Sequence, residues 1–299
     1  MDRFQLMGVF VAVAEEEGFA AGARRLRLSP PAVTRAVAML EERLGVKLLD
    51  RTTRYVRATE AGLRYLDEAR RILAEVEAAE ASAAGGNAEP RGRLTVTAPV
   101  LFGRMFVMPG IVDYLERYPK TEVSAVLLDR PVNLLEEGID VGVRIGELAD
   151  STMRAQRVGS VRIVLCASPE YLKRRGTPRA PQDLPEHSTI ESRAGSGAIH
   201  WRFDTGDGMR PVRLRPRLTV TTNDAATEAA LRGFGITRLL SYQIAPLLAA
   251  RKLELVLEAF EPPPWPVHIV HREGRYASAK VRAFVELMAA RLRADPALG

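Results

Sequence analysis

Apolar side chains at Phe4, Met7, Phe10, Val11 and Ala14 recur every three or four positions, the period of a helix with one buried face, so residues 2–17 are predicted to be helical. Asp2 with Gln5 three residues on makes a plausible capping pair, and Gly18 stands where the helix should stop. A short second helix is read over Phe19–Leu26, in which the small pair Gly22 and Ala23 permits close approach of another helix. Leu28 and Ser29 turn the chain. Ser29 is a good N-cap, and Pro30 and Pro31 suit a first turn, where a missing N–H is no loss. Val33, Val37, Leu40 and Leu44 mark the apolar face of a third helix that Gly45 ends. Residues 46–58 (VKLLDRTTRYVRA) are short, β-leaning and basic, as a two-stranded wing would be.

Thr59 can cap a fourth helix running to about Ala84, striped by Leu66, Ala69, Leu73, Val76 and Ala83 and interrupted by Glu80. Some 25 helical residues extend about 38 Å. Such a helix looks too long and too narrowly striped for a compact core, so it is expected to pair with a second copy of itself; a solvent-exposed connector is the alternative. The Gly/Ala/Pro-rich segment SAAGGNAEPRGR (82–93) then reads as a flexible linker. Beyond it, strand and helix patterns alternate. Strands are expected at Leu94–Ala98, Glu122–Leu128, Ile139–Ile145, 161–167, 217–221, 236–240 and 266–271. Helices are expected at 101–117, 132–137, 169–175, 224–233, 242–250 and 277–293. This alternation implies α/β layers with mostly parallel sheets, as one large sheet or two smaller units. The organisation predicted is a winged helix-turn-helix over 1–58, a linker helix over 59–84, a hinge over 85–92 and an α/β domain over 93–299.

Charge changes this picture because of where it lies. The chain of 299 residues carries a net +6, and the window Arg24–Arg57 holds nine basic residues against Glu41, Glu42 and Asp50. Elsewhere basic and acidic residues cancel. A basic module on a neutral body is the footprint of nucleic-acid binding, although basic surfaces also occur without that role. The 46% hydrophobic content is enough for full cores. The charged, amphipathic start is unlike a secretory signal, no apolar run is long enough to span a membrane, and a single cysteine, Cys166, cannot form an internal disulfide. A cytoplasmic location is expected on these grounds.

In a helix-turn-helix the second helix of the pair enters the major groove and its first residues reach base edges. Here that stretch supplies Ser29, Pro31, Ala32, Thr34 and Arg35. Arg35 can donate to guanine or phosphate, and Pro31 and Ala32 suit thymine methyl groups. In the wing, Arg51 and Arg54, with Arg57 beside them, can meet phosphates or the minor groove. A plain three-helix bundle with a solvated basic face is the bland alternative; the order of these features on one basic module argues against it.

The run FAAGARRLRLSPPAVTRAVAMLEERLGVKLLDRTTRYVRATEAG resembles the N-terminal domain of LysR-type transcriptional regulators. The shared pattern is a small-residue pair, a serine before the recognition helix, a Leu-Glu-x-x-Leu-Gly close and Arg-Thr-Thr-Arg in the wing. The segments GRLTVTAP, MPGI, YLERYP, EEGIDVGVRIGEL and ASPEYL resemble the effector domain of the same family, so the likeness covers nearly the whole chain. Two departures are Pro30, where many members carry a polar residue, and Thr34, where serine is common. The resemblance implies a dimerising linker helix and a periplasmic-binding-protein-like effector domain of two α/β subdomains. Subdomain I would span 93–162 and 266–299, and subdomain II 163–265. It also implies a homodimer or homotetramer on double-stranded promoter DNA, a small-molecule effector that alters DNA binding or bending, and RNA polymerase as a candidate further partner. It implies no enzyme activity, cofactor, metal or membrane partner.

Ligands of open α/β layers sit beyond the carboxyl ends of strands, near helix N-termini. That selects Pro99, Val100 and Leu101 after the first strand, Asp129 after the second, Arg144 at the end of the third and Thr222 before the helix at 224. Arg144 and the Thr222 hydroxyl would favour a carboxylate-bearing metabolite, and the apolar Pro99 and Val100 an aromatic or hydrophobic one. Arg144 could instead be tied up in an ion pair with Glu137 or Asp129. Other signals weaken on inspection. Cys166 lies in an apolar strand and reads as packing, His268 and His271 are three apart on a strand and face opposite sides, and EPPPWP (261–266) reads as a crossover loop. A solute-binding protein with an appended helix-turn-helix, and an α/β enzyme regulated by one, are rival readings. The basic window opposes the first, and the lack of a catalytic constellation opposes the second.

Overall fold

A computed structural model describes residues 1–51, 56–83, 89–130, 132–148, 153–192, 199–271 and 278–298. The Asp2–Gln5 capping box forms, with reciprocal bonds of 2.8 and 3.0 Å, and opens helix α1 (Arg3–Glu15). Gly18 does not terminate it. The chain turns at Glu17 (φ 48°), and the extended Gly18 is the N-cap of helix α2 (Phe19–Leu26). Gly22 is where α2 meets α1: a Cβ there would lie 3.0–3.2 Å from Val13. Helix α3 (Pro30–Leu44) starts at Ser29, whose side chain makes no capping bond. Its first two residues are prolines without N–H, and the next N–H, of Ala32, bonds the Ser29 backbone carbonyl at 2.9 Å. Val33, Val37 and Leu40 are buried as expected, but Leu44, one turn later, overshoots the core and is exposed. Strands β1 (Leu49–Arg51) and β2 (Val56–Ala58) pair antiparallel as the wing.

Helix α4 (Glu60–Ala83) begins where Thr59 caps it, the Thr59 Oγ1 accepting the Gly62 N–H at 2.9 Å. Its stripe does not all point outward. Leu66 and Ala69 are buried, Leu66 within the core formed by α1, α2 and α3, and Arg70 pairs with Glu15 at 2.8 Å. The first half of α4 therefore completes the winged core, and only the part from Leu73 onward is left to do something else; Leu73 and Val76 are half-buried.

The α/β region holds two five-stranded sheets. Its elements in order are β3 (Gly92–Ala98), α5 (Val100–Phe102), a π-helical turn Gly103–Val107, α6 (Met108–Arg117), β4 (Thr121–Leu127), β5 (Val141–Ile145), β6 (Arg154–Val161) and β7 (Ile163–Ala167). These are followed by α7 (Pro169–Arg175), β8 (Thr189–Ser192), β9 (Ile199–Asp204), β10 (Met209–Leu214), β11 (Leu218–Val220), α8 (Asn223–Leu231), β12 (Ile236–Leu240), α9 (Ser241–Ala249), β13 (Glu254–Val256), β14 (Trp265–His271) and α10 (Ala279–Ala294). One sheet has the order β4-β3-β5-β14-β6 and the other β11-β8-β12-β7-β13, with β9 and β10 as a separate hairpin. Neither sheet is mostly parallel. In each, the central strand (β5 or β12) is flanked by a parallel neighbour on one side and an antiparallel one on the other. The reason is the chain's path: it leaves the first sheet after β6 and returns to it as β14, running back against β5.

One expected helix does not form, and some strands were not anticipated from the pattern. Residues 132–137 form turns rather than a helix, because the Asn133 side chain takes the Leu135 N–H at 3.1 Å and Gly138 adopts φ 63°. Strands β6 and β10 are polar edge elements without the alternation that marks a half-buried strand. The first sheet packs through Val96, Val141, Val143, Val267 and Ile269 onto α6 and α10. The two crossovers are tied together: Arg162 binds Glu261 at 2.8 and 2.7 Å, its backbone bonds Ser241 in both directions, and Tyr242 of α9 packs edge-on against Phe102 and Phe106.

Candidate DNA interface and effector site

The N-terminal end of α3 offers a mixed surface. Ser29, Pro31 and Arg35 are exposed, while Ala32 and Thr34 are half-buried. Because the Ser29 hydroxyl is not spent on capping, it is left for an external partner. The Thr34 hydroxyl instead donates to the Pro30 carbonyl at 3.0 Å, which leaves its oxygen able only to accept. Arg35 has no ion pair among the described residues, nor do Arg24 on α2 and Arg27 just past its end. Arg25 is used differently: it closes on Glu15 at 2.7 Å and Glu16 at 3.4 Å. Arg51 lies on β1, though its side chain falls outside what is described, and Arg54 lies outside the described residues altogether.

What holds the wing against α3 is a residue that the charge count treated only as an acid. Glu41, 3% exposed, accepts the backbone N–H groups of Leu48 and Leu49 at 3.0 and 3.1 Å and the Lys47 ammonium at 2.7 Å. Burial pushes its carboxyl pKa up, but the Lys47 and backbone hydrogen bonds outweigh it, and the net shift is downward. A partial signal was in the sequence, since Glu41 stands four residues after the buried Val37 on one face of α3, but that the side chain meets the wing was not.

In the α/β region, Pro99 is the N-cap of α5, and the Val100 N–H beyond it donates to Asp129 Oδ1 at 3.0 Å. Asp129 thus occupies the anion-attracting helix end with a carboxylate of the chain's own. Val100 is exposed and Leu101 half-buried on the first sheet's core. Thr222 caps α8, accepting the Ala225 N–H at 3.3 Å. Arg144 stands apart. Glu137, one of its two anticipated partners, is held by Arg130 through two bonds of 2.9 and 2.8 Å, and Asp129 bonds Val100 instead. Among the described residues Arg144 donates only to the Val143 carbonyl at 3.3 Å, and its buried Nη2 has no hydrogen-bond partner there. Desolvation pulls its pKa down, only partly offset by the charge of Glu137.

A second such arginine was not foreseen. Arg238 lies on β12, the central strand of the other sheet, just as Arg144 lies on β5. Its guanidinium sits over the buried Trp201 ring at 5.4 Å and its pKa is lowered by desolvation. Glu191, whose charge partly offsets that lowering, accepts the Trp201 indole N–H at 2.8 Å. An arginine within the otherwise apolar run ITRLL, like the one in VGVRI, was the available clue. Cys166 is buried and its thiol is pushed up to about 12 by burial, which makes it a packing residue rather than a nucleophile. No helix among the described residues is long and apolar enough to cross a membrane.

Comparison with known proteins places both regions. The family described as bacterial regulatory helix-turn-helix protein, lysR family, matches residues 4–63, and the LysR substrate binding domain matches residues 87–293. The chain is 33% identical over 287 residues to an HTH-type transcriptional repressor of Pseudomonas aeruginosa, covering 95% of this chain and 90% of that one. It is 32% identical to the HTH-type transcriptional regulator CrgA of Neisseria meningitidis serogroup B, with 94% of each chain covered. The solved structure of CrgA, a LysR-type transcriptional regulator, superposes with a TM-score of 0.61 over 96% of this chain and 98% of that one, at 31% identity. The Vibrio cholerae virulence activator AphB shares the fold at 23% identity, with a TM-score of 0.59 over 97% and 99% of the two chains. The chain belongs to the LysR family of transcriptional regulators, with a helix-turn-helix DNA-binding domain followed by an effector-binding α/β domain.

Proposed function

We propose that this regulator answers a small anionic metabolite, a carboxylate with an aromatic or hydrophobic body, bound beyond the strand ends of the two sheets. The observation that carries this reading is Arg144. A buried guanidinium nitrogen with no partner among the described residues costs free energy in the empty protein, and an incoming carboxylate recovers it through a charge-assisted bond. Pro99, Val100 and Leu101 supply an apolar wall, and Thr222 a polar edge. Asp129 serves this site as the cap of α5 rather than as a ligand contact, since a second anion at that helix end would repel it. On the DNA side, Ser29, Pro31, Ala32, Thr34 and Arg35 meet the major groove, and Arg51 and Arg54 the adjacent backbone. The linker helix beyond Leu73 pairs two copies, and effector binding changes how the paired domains hold or bend promoter DNA, with RNA polymerase as a downstream contact.

The test is fluorescence anisotropy with DNA from upstream of the regulator's own gene, beside a scrambled duplex, across a range of salt concentrations. Selective, salt-sensitive binding that aromatic carboxylates shift is expected, and Arg144→Met should remove that shift while leaving effector-free binding intact. A shift that persists in Arg144→Met refutes the role of Arg144. In the same assay Arg35→Ala should cost about 1–3 kcal/mol on the preferred duplex. An equal loss on scrambled DNA would make Arg35 a phosphate contact.

A further inference from the structure

The second sheet has a cavity at the end opposite the candidate effector contacts. Thr222 caps the start of α8, whereas the cavity opens at the finish of the same helix, against Arg232, and where the chain enters β8, β11 and β12. Its volume is about 530 Å³, within the range that holds a metabolite. Phe234, Leu218 and Ala229 contribute apolar lining, and four arginines ring it: Arg174, Arg175, Arg217 and Arg232.

Internal contacts account for only part of this ring. Arg174 donates to the Gly233 carbonyl at 2.6 Å, an ordinary use of a cation near helix ends. Arg217 lies over Phe234 at 5.6 Å and makes a long 3.4 Å bond to Ser188 Oγ. The carboxylates at hand are Glu170, 3.9 Å from Arg174, and Glu228, 2.7 Å from Arg232; both are exposed and lie one helical turn back from their arginines. Arg175 and Arg217 have no carboxylate partner among the described residues. Four like charges around one hollow, with two exposed counter-charges, repel one another until an anion enters. Guanidinium forks approaching from several sides suit a tetrahedral oxyanion better than a planar carboxylate, whose two oxygens one fork already satisfies.

We propose that this cavity is a second ligand site, distinct from the effector site, that takes a small multiply charged phosphate, a pyrophosphate or phosphorylated metabolite. The site lies nine residues of helix away from Thr222, about 13 Å. The experiment is calorimetric titration of the full-length protein with inorganic pyrophosphate at near-physiological salt, with sodium chloride at matched ionic strength and citrate as comparators. Saturable binding of pyrophosphate is expected, tighter than that of citrate. Arg175→Gln and Arg217→Gln should each weaken it about tenfold, the worth of one charge-assisted bond. The Arg175 side chain makes no hydrogen bond or ion pair among the described residues, so its substitution tests the site with little disturbance to the fold. The proposal is overturned by heat no greater than that of matched salt, by citrate binding as tightly as pyrophosphate, or by binding that both variants leave unchanged. It is also overturned if the two substitutions instead lower affinity for DNA and flatten its salt dependence, which would make the cavity a contact for nucleic-acid backbone.

Discussion

Replacing Glu41 tests how the recognition helix holds the wing. In Glu41→Gln the amide oxygen can still accept the Leu48 and Leu49 N–H groups, but the amide nitrogen must face the Lys47 ammonium, donor against donor. The substitution loses the charge on two buried backbone bonds and the ion pair. Lys47 is largely exposed, so solvent screens its share. The backbone bonds dominate, and a loss of about 1.5–3 kcal/mol is expected. The pH dependence has a definite sign. The Glu41 pKa is lower folded than unfolded, so its stabilisation is full above the ordinary glutamate range and disappears as pH falls through the depressed folded value. Glu15, also lowered by Arg25 and Arg70 against burial, titrates in the same direction, so the informative quantity is the difference between wild type and variant. Amide hydrogen exchange of the full-length protein, followed at Leu48 and Leu49, reads the local opening directly and avoids assuming two-state unfolding of a multidomain chain. At neutral pH the variant should exchange at least tenfold faster, with the gap narrowing in acid. Equal protection at neutral pH, or a gap that widens in acid, would refute the assignment.

Three further outcomes are expected. Gly62→Ala should destabilise the DNA-binding domain by about 1–3 kcal/mol or more, because its Cβ would collide with the Leu48 backbone carbonyl; an unchanged melting temperature would show that α4 and the wing can separate freely. Arg144→Met, besides losing the effector response, should stabilise the effector-free protein by about 1 kcal/mol, since a buried guanidinium nitrogen without a partner among the described residues gives way to an apolar chain; a lower unfolding midpoint would mean that Arg144 has an internal role. Leu73→Asp should split the oligomer in sedimentation if the outer half of α4 is its seam, and an unaltered profile would move the seam elsewhere.

Local chemistry made much of this protein legible. The Asp2–Gln5 box, the Thr59 cap, the prolines opening α3 and the Gly22 contact all involve residues a few positions apart or a periodicity within one element, and the helices of the winged domain lie where that chemistry put them. Residue motifs carried the family as well. What stayed hidden depends on pairing between distant segments. The direction in which β14 runs beside β5 follows from the chain crossing to the second sheet and back, and no window of sequence contains both strands. Three choices between similar residues were also left to the folded state. Glu41 rather than Glu42 is buried, because its side chain turns toward the start of the wing. Arg130 rather than Arg144 takes Glu137, leaving Arg144 with a buried nitrogen that has no partner among the described residues. The arginines at 174 and 175, at 217 and at 232 come from three separate stretches of the chain, and only the packing of α7 and α8 on the second sheet gathers them around a single cavity. A sequence specifies which side chains can ionise or bury; which of them meet is set by tertiary packing, where each buried charge must find its partner or remain without one.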